Sequence, residues 1–201
     1  MVESQGEQFE KLAASFEQEW PALTVSLARK YLSDYPDDEC ALMLYGVALQ
    51  TLGRYKEARQ ALENALCLFP ENKHYLIYRQ LGSLYQDMYD EAEAERWFKR
   101  AIENGPDEAS NYIYLGTMLA RTGKLDEAES YHRQAIASSC GNKDEAFLSL
   151  GYVLRAKEEY VEAFECFRKA LEINPDCRRA QDALSDVEKV ISLLGGNEQQ
   201  R

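Results

Sequence analysis

The histidines and cysteines are the side chains of this sequence best suited to nucleophilic or metal chemistry. The two histidines are His74 and His132, and none of the five cysteines belongs to a CxxC motif. His132 and Cys140 are eight residues apart, which is too far along one helix for a base to contact a nucleophile. The sequence also lacks phosphate-binding glycine loops, HExxH and the nucleophile elbow. We therefore predict no enzyme activity, no metal site and no cofactor.

The charge balance argues against several classes of partner. The chain has 201 residues, of which 35 are acidic and 23 basic, for a formal net charge of -12. An acidic surface repels nucleic-acid phosphates and anionic lipids, and the apolar runs are shorter than a membrane span. The N-terminus shows no secretory signal pattern, and scattered free cysteines suit a reducing compartment. We expect a cytoplasmic protein that binds neither nucleic acid nor membranes.

An internal repeat defines the secondary structure that carries these side chains. Glycines recur at intervals of 34 to 36 residues, at Gly46, Gly82, Gly116 and Gly151. Alanines follow at constant offset, at Ala58, Ala94, Ala128 and Ala163, and again at Ala65, Ala101, Ala135 and Ala170. A bulky column holds Leu62, Phe98, His132 and Phe167, and a closing column holds Pro70, Pro106, Cys140 and Pro175. Four copies in register indicate a repeat protein.

Each copy has the pattern of two helices joined by a turn. In the second copy, Leu81, Gly82 and Tyr85 share one helical face, and Ala94 and Ala101 share a face of the next helix. Small residues at the centres of these faces allow the two helices to approach closely, so we expect Gly82 to lie against the two alanines. The larger Leu81, Tyr85 and Phe98 should fill the gaps around them. One such hairpin cannot bury its apolar face alone and must stack on neighbouring hairpins.

This pattern resembles the tetratricopeptide repeat, most fully over Leu81–Pro106 and Leu150–Pro175. The resemblance implies an all-α, right-handed α-solenoid of stacked helix–turn–helix repeats. His132 departs from the family's aromatic column, and Cys140 replaces the closing proline of the third copy. We therefore expect a looser connection at residues 140–143.

The resemblance also organises the rest of the chain. We assign residues 38–177 to four repeats stacked in one continuous array, and residues 1–37 to an N-terminal helical pair that we interpret as a degenerate repeat. Residues 178–194 have the apolar spacing of a capping helix. Residues 195–201 are polar, and we predict a flexible tail there.

In this family the first helix of each pair lines a concave groove, and the resemblance implies that a partner peptide or helix binds there. The expected groove residues are Met43, Val47, Leu76, Arg79, Gln80, Ser83, Tyr114, Thr117, Arg121, Leu148, Tyr152 and Arg155. The Lys/Asn–Asn–Lys/Arg clamp with which some members bind the acidic C-terminus of heat-shock chaperones is absent from the matching positions.

The ligand chemistry follows from three arginines at groove offsets in a chain with excess negative charge. Arg79, Arg121 and Arg155 could bind an acidic or carboxylate-bearing partner, because arginine pairs with carboxylates in a bidentate geometry. Alternatively, each arginine pairs with a nearby acid such as Asp87 or Glu145 and only stabilises the fold.

We therefore expect a non-catalytic scaffold or adaptor protein that binds a protein or peptide partner. The alternative is a structural module that forms homo-oligomers through its terminal helices.

Overall fold

A computed structural model describes residues 3–198 of the chain as an all-α structure. Within these residues there are eleven α-helices and no β-strand. The helices are α1 (Gln5–Glu17), α2 (Pro21–Asp34), α3 (Glu39–Thr51), α4 (Tyr55–Leu68), α5 (His74–Asp87), α6 (Glu91–Asn104), α7 (Ala109–Arg121), α8 (Leu125–Ala137), α9 (Lys143–Ala156), α10 (Tyr160–Ile173) and α11 (Arg178–Glu198), with a 3-10 turn at Glu71–Lys73. The predicted fold class, an α-solenoid of helix–turn–helix pairs, is confirmed.

The chain divides into two compact units. Unit 1 is Met1–Asn104 and contains α1 to α6, and unit 2 is Gly105–Arg201 and contains α7 to α11. Within each unit, consecutive helices form hairpins and each hairpin packs on the next. In unit 2, the single helix α11 packs on α10 and covers the last hairpin.

One residue in each hairpin turn adopts a left-handed backbone conformation. The φ angles lie between 55° and 80° at Glu19, Gly53, Tyr89, Gly123 and Glu158. This conformation turns the chain sharply after the first helix, and glycine adopts it without steric cost. The pair α1/α2 therefore has the same turn as the four pairs that follow it along the chain.

The glycine column packs against the bulky column of the same hairpin. A Cβ atom on Gly82 would lie 2.5 Å from the ring of Phe98, and one on Gly116 would lie 2.7 Å from the ring of His132. The atoms nearest to such a Cβ on Gly82 all belong to Phe98, which lies on the same helical face as Ala94 and Ala101. In these hairpins an aromatic ring fills the space that the missing side chain leaves. The close packing of the two helices therefore depends on the glycine and on the ring that faces it.

The connection at residues 140–143 is held more firmly than we expected from the loss of proline. The Cys140 N–H donates to the Asp107 carbonyl at 3.0 Å, and the Ala109 N–H donates to the Cys140 carbonyl at 3.0 Å. The Lys143 ammonium donates to the carbonyls of Ala135 and Ile136, and so caps the C-terminus of α8. Proline has no N–H and could not make the first of these bonds.

Replacement of Cys140 by proline, which restores the residue typical of the repeat, should therefore destabilise unit 2. We expect Cys140→Pro to lower the free energy of unfolding by about 1–2 kcal/mol, because proline at a position with a hydrogen-bonded N–H is unfavourable. Urea unfolding followed by far-UV circular dichroism measures the change. Cys140→Ser keeps the N–H and should unfold as the parent does. A proline variant as stable as the parent would show that the Asp107 bond contributes nothing.

The C-terminal helix is longer than predicted. It continues to Glu198 rather than ending at residue 194, so residues 195–198 are helical and not part of a tail. The rest of the predicted tail, residues 199–201, lies outside the described residues. The inner face of α11 buries Ala180, Ala183 and Val187 in the core of unit 2.

Candidate functional site

In unit 1, the predicted groove residues on α3 and α5 are only partly accessible. Met43 and Leu76 are half-buried and pack against the hydrophobic core. The Ser83 hydroxyl accepts a hydrogen bond from Gln50 at 3.0 Å, and the same Gln50 amide donates to Asp87 at 2.7 Å. Val47, Arg79 and Gln80 are also half-buried. Much of this surface is therefore used for packing between neighbouring hairpins.

In unit 2, helix α7 presents its predicted groove residues to solvent. Tyr114 is 40% exposed, and Thr117 and Arg121 are exposed beside it. Arg121 makes no ion pair or hydrogen bond with any residue in the described part of the chain. The three side chains follow one another at spacings of three and four residues, so they lie along one face of α7.

Leu148 does not belong to the accessible surface, so this part of the predicted groove was wrong. Its side chain is 1% exposed and packs in the core of unit 2. Leu148 precedes Gly151 by three residues and therefore shares the helical face that packs against α10. A partner cannot reach it without unfolding the hairpin.

Tyr152 and Arg155 contact α11 as well as solvent. The Tyr152 hydroxyl donates to the Arg179 carbonyl at 3.3 Å, and the Arg155 guanidinium lies 5.2 Å from the centre of the Tyr152 ring. Arg155 also forms an ion pair with Asp186 at 3.0 Å. Arg155 therefore pairs with a nearby acid, as the alternative interpretation of the arginines requires, but this acid is Asp186. Glu145, which we had named as a partner, pairs with Arg179 at 2.6 Å.

A cleft of about 230 Å3 opens beside these residues in unit 2. We call it the α9 cleft, and it is lined by Thr117, Ala120, Leu125, His132, Glu145, Ser149, Tyr152, Val153, Ala156 and Arg179. The ion pair between Glu145 and Arg179 forms part of its wall. Of the predicted groove residues, Thr117 and Tyr152 meet here.

His132 borders the α9 cleft but has the environment of a packing residue. The side chain is 1% exposed, and burial lowers the pKa of its imidazole to about 4, so the ring is neutral at pH 7. The Nδ1 atom is buried without a hydrogen-bond partner. No third group orients the ring, as a catalytic base would require. Within residues 3–198, no group of three or more side chains is arranged to hold a metal ion.

Unit 1 contains a larger cleft that the sequence did not reveal. It has a volume of about 610 Å3, and we call it the Trp20 cleft; its lining is Phe16, Glu17, Glu19, Trp20, Pro21, Thr24, Val47, Ala48 and Thr51. Among these lining residues, Val47 was predicted to face the groove. The signal in the sequence is Trp20-Pro21, a large aromatic residue outside every repeat column that is followed by a proline.

Comparison with known protein families identifies the same four repeats. Models of the tetratricopeptide repeat match residues 41–72, 76–103, 109–140 and 144–177. The chain is 33% identical over 101 residues to the protein O-mannosyl-transferase Tmtc1 of Drosophila melanogaster, a match that spans 48% of this chain and 12% of that protein. The chain therefore covers a small part of this curated relative.

Solved structures show the same fold. A thermophilic tetratricopeptide-repeat protein of Thermus thermophilus superposes with a TM-score of 0.76 at 19% identity, covering 92% of this chain and 98% of that one. YrrB, described as a protein of this type with an unusual peptide-binding site, gives a TM-score of 0.56 at 23% identity and covers 90% and 91% of the two chains.

These findings define the class of the protein. The fold is typical of non-catalytic protein–protein interaction scaffolds, whose partners are proteins or peptides. Within residues 3–198, no helix is both long and apolar enough to cross a bilayer. The repeat register, the glycine–aromatic packing and the four model matches together show that the chain belongs to the tetratricopeptide-repeat family.

Proposed function

We propose that this protein is a scaffold that binds a peptide or helix of a partner protein on the exposed face of α7 and in the adjoining α9 cleft. The observation that carries the proposal is the exposure of Tyr114, Thr117 and Arg121 along one face of α7, with Thr117 at the edge of the cleft. An aromatic and an arginine side chain beside a concave surface are the residue types that most often dominate binding energy.

The ligand chemistry that this face supports is acidic or carboxylate-bearing. Arg121 is exposed and makes no contact with an acid among the described residues, so its guanidinium is available for a bidentate pair. Arg155 is already bound to Asp186 and would have to exchange that partner. Arg79 is half-buried in unit 1, and we do not include it in the site. The proposal therefore rests on one arginine rather than three.

A selection for binding peptides tests the proposal. A random peptide library displayed on phage is selected against the full chain, and the affinity of each selected peptide is then measured for the parent and for two variants. We expect one class of acidic peptides to lose at least tenfold in affinity for both Arg121→Glu and Tyr114→Ala, with unchanged melting temperatures. Arg178→Glu, a charge reversal at an exposed arginine on α11, is the matched control. If no selected peptide responds to either variant, the α7 face is not a binding site.

Self-association remains a second candidate because apolar side chains are exposed at the end of unit 2. Val161 is 70% exposed, Leu193 71% and Leu194 54%, and Val161 and Leu194 line a cleft of about 520 Å3 between α10 and α11. A second copy could cover this patch. Light scattering over a dilution series distinguishes the candidates, since Leu193→Glu should abolish any concentration-dependent dimer.

A further inference from the structure

The Trp20 cleft has an apolar floor whose polar groups are already satisfied. The Thr24 hydroxyl lies 3.0 Å from the Trp20 carbonyl and 3.0 Å from the Ser15 hydroxyl, which donates to the Leu12 carbonyl at 2.7 Å. The remaining wall atoms come mostly from Phe16, Pro21 and other apolar residues. A ligand that enters this cleft is therefore recognised by apolar contact, because the floor leaves few hydrogen-bonding groups unsatisfied.

Trp20 provides a large aromatic surface at the mouth of this cleft. Its side chain is 54% exposed, although tryptophan is usually well buried in folded proteins. The residue ends the turn between α1 and α2 and precedes Pro21, which fixes the backbone where α2 begins. A tryptophan in such a position contributes large contact area and can also bind a cation over its ring.

The rim of the cleft is acidic. Glu17 and Glu19 are both exposed and both line the cleft. Neither carboxylate forms an ion pair with another residue in the described part of the chain. Glu19 has a φ of 55°, and this left-handed conformation belongs to the turn that separates the two helices. The site therefore combines an apolar floor with two carboxylates that form no ion pair with another described residue.

We propose that the Trp20 cleft is a second binding surface, which takes a partner segment with a large apolar residue flanked by lysine or arginine. The apolar residue would fill the space between Phe16, Trp20 and Val47, and the flanking cations would pair with Glu17 and Glu19. The required charge is opposite to that of the ligand proposed for the α7 face. One chain would thus distinguish two kinds of partner segment by charge.

The same phage selection tests this inference independently of the proposed function. Peptides that bind the full chain are sorted by whether Trp20→Ala or Arg121→Glu reduces their affinity. We expect a class that loses at least tenfold on Trp20→Ala, does not respond to Arg121→Glu, and is rich in apolar residues next to lysine or arginine. Glu17→Gln/Glu19→Gln should weaken this class and reduce the salt dependence of its binding, because the rim charges are removed.

Two controls separate binding from folding. Glu10→Gln changes an exposed carboxylate of α1 that does not line the cleft, and should leave the affinity unchanged. The melting temperatures of the glutamine variants should equal that of the parent, since both carboxylates are exposed and make no ion pair with a described residue.

Several outcomes would overturn the inference. It is wrong if no selected peptide responds to Trp20→Ala, or if those that respond are acidic. It is also wrong if the fluorescence of Trp20, measured in Trp97→Phe, changes with dilution of the chain alone, because a second copy would then occupy the cleft. A class sensitive only to Arg121→Glu would support the proposed function while excluding this second surface.

Discussion

Gly82→Leu should lower the free energy of unfolding of unit 1 by about 3 kcal/mol. A Cβ atom at this position would already lie 2.5 Å from the ring of Phe98, so even alanine requires a movement of the ring or of the helices. Overpacking of a well-filled core typically costs about 1–3 kcal/mol, and leucine adds three further carbons to the clash. Urea unfolding followed by tryptophan fluorescence measures the effect in this unit, because both tryptophans, Trp20 and Trp97, belong to unit 1.

A double-mutant cycle identifies the cause of the loss. Phe98→Leu introduces the residue that faces Gly46 in the first repeat, where the side chain opposite the glycine is smaller. Gly82→Ala/Phe98→Leu should therefore be more stable than the sum of the two single changes implies. Gly6→Ala is the control, since nothing lies within 4 Å of a Cβ there, and its stability should not fall. Additive effects of Gly82→Ala and Phe98→Leu would show that the ring is not what excludes the side chain.

Mild acid should destabilise unit 2 through His132. The pKa of this histidine is 6.5 in the unfolded chain and is lowered by burial to about 4 in the folded state. Between these values the unfolded state binds more protons, so stability is complete above pH 6.5 and falls as the pH decreases towards 4. One pKa unit corresponds to about 1.4 kcal/mol, so we expect a loss of about 2 kcal/mol at pH 5 relative to pH 7.5. Hydrogen exchange of the α7 and α8 amides at the two pH values provides the measurement.

His132→Phe should remove this pH dependence. Phenylalanine occupies the equivalent position in two other repeats, at Phe98 and Phe167, and has no buried Nδ1 atom without a partner. The variant should also be more stable than the parent at pH 7.5, by about 1 kcal/mol. Carboxylates with lowered pKa values, such as Glu129, stabilise the fold at neutral pH, and this stabilisation is lost mainly below the pH window used here. An unchanged pH profile in His132→Phe would assign the acid sensitivity to another group.

Much of the local architecture could be predicted from residue spacing. The glycine, alanine and aromatic columns recur at helical intervals, and residues at such intervals lie on one face of a helix. The predicted end of the last helix was less accurate, because residues 195–201, which begin with Gly195 and Gly196, were assigned to a tail while α11 continues to Glu198. Glycine lowers helix propensity by about 1 kcal/mol, which does not prevent a helix from continuing when its preceding turns are packed.

The predicted binding surface was less complete, because exposure depends on contacts between hairpins. Leu148 and Arg155 occupy groove offsets in the sequence, yet one is buried in the core and the other pairs with Asp186 on α11. Spacing along one helix defines the face on which a residue lies, but not which neighbouring helix covers that face. Sequence periodicity therefore predicts solvent exposure least well for residues at the edges of a helical face.

Residue order was enough to establish that the chain is built from helical hairpins and that the glycine, alanine and bulky columns lie in the interior of each hairpin. These features depend on contacts within about 20 residues, where helical periodicity and a missing side chain constrain the packing. Only the folded structure revealed that the chain forms two compact units, that the Cys140 N–H donates a hydrogen bond to the Asp107 carbonyl, and that Trp20 lines an open cleft. The units and the cleft depend on contacts between different hairpins, and the Cys140 hydrogen bond joins the two ends of the α7/α8 hairpin. No single helical pattern encodes the geometry of such contacts.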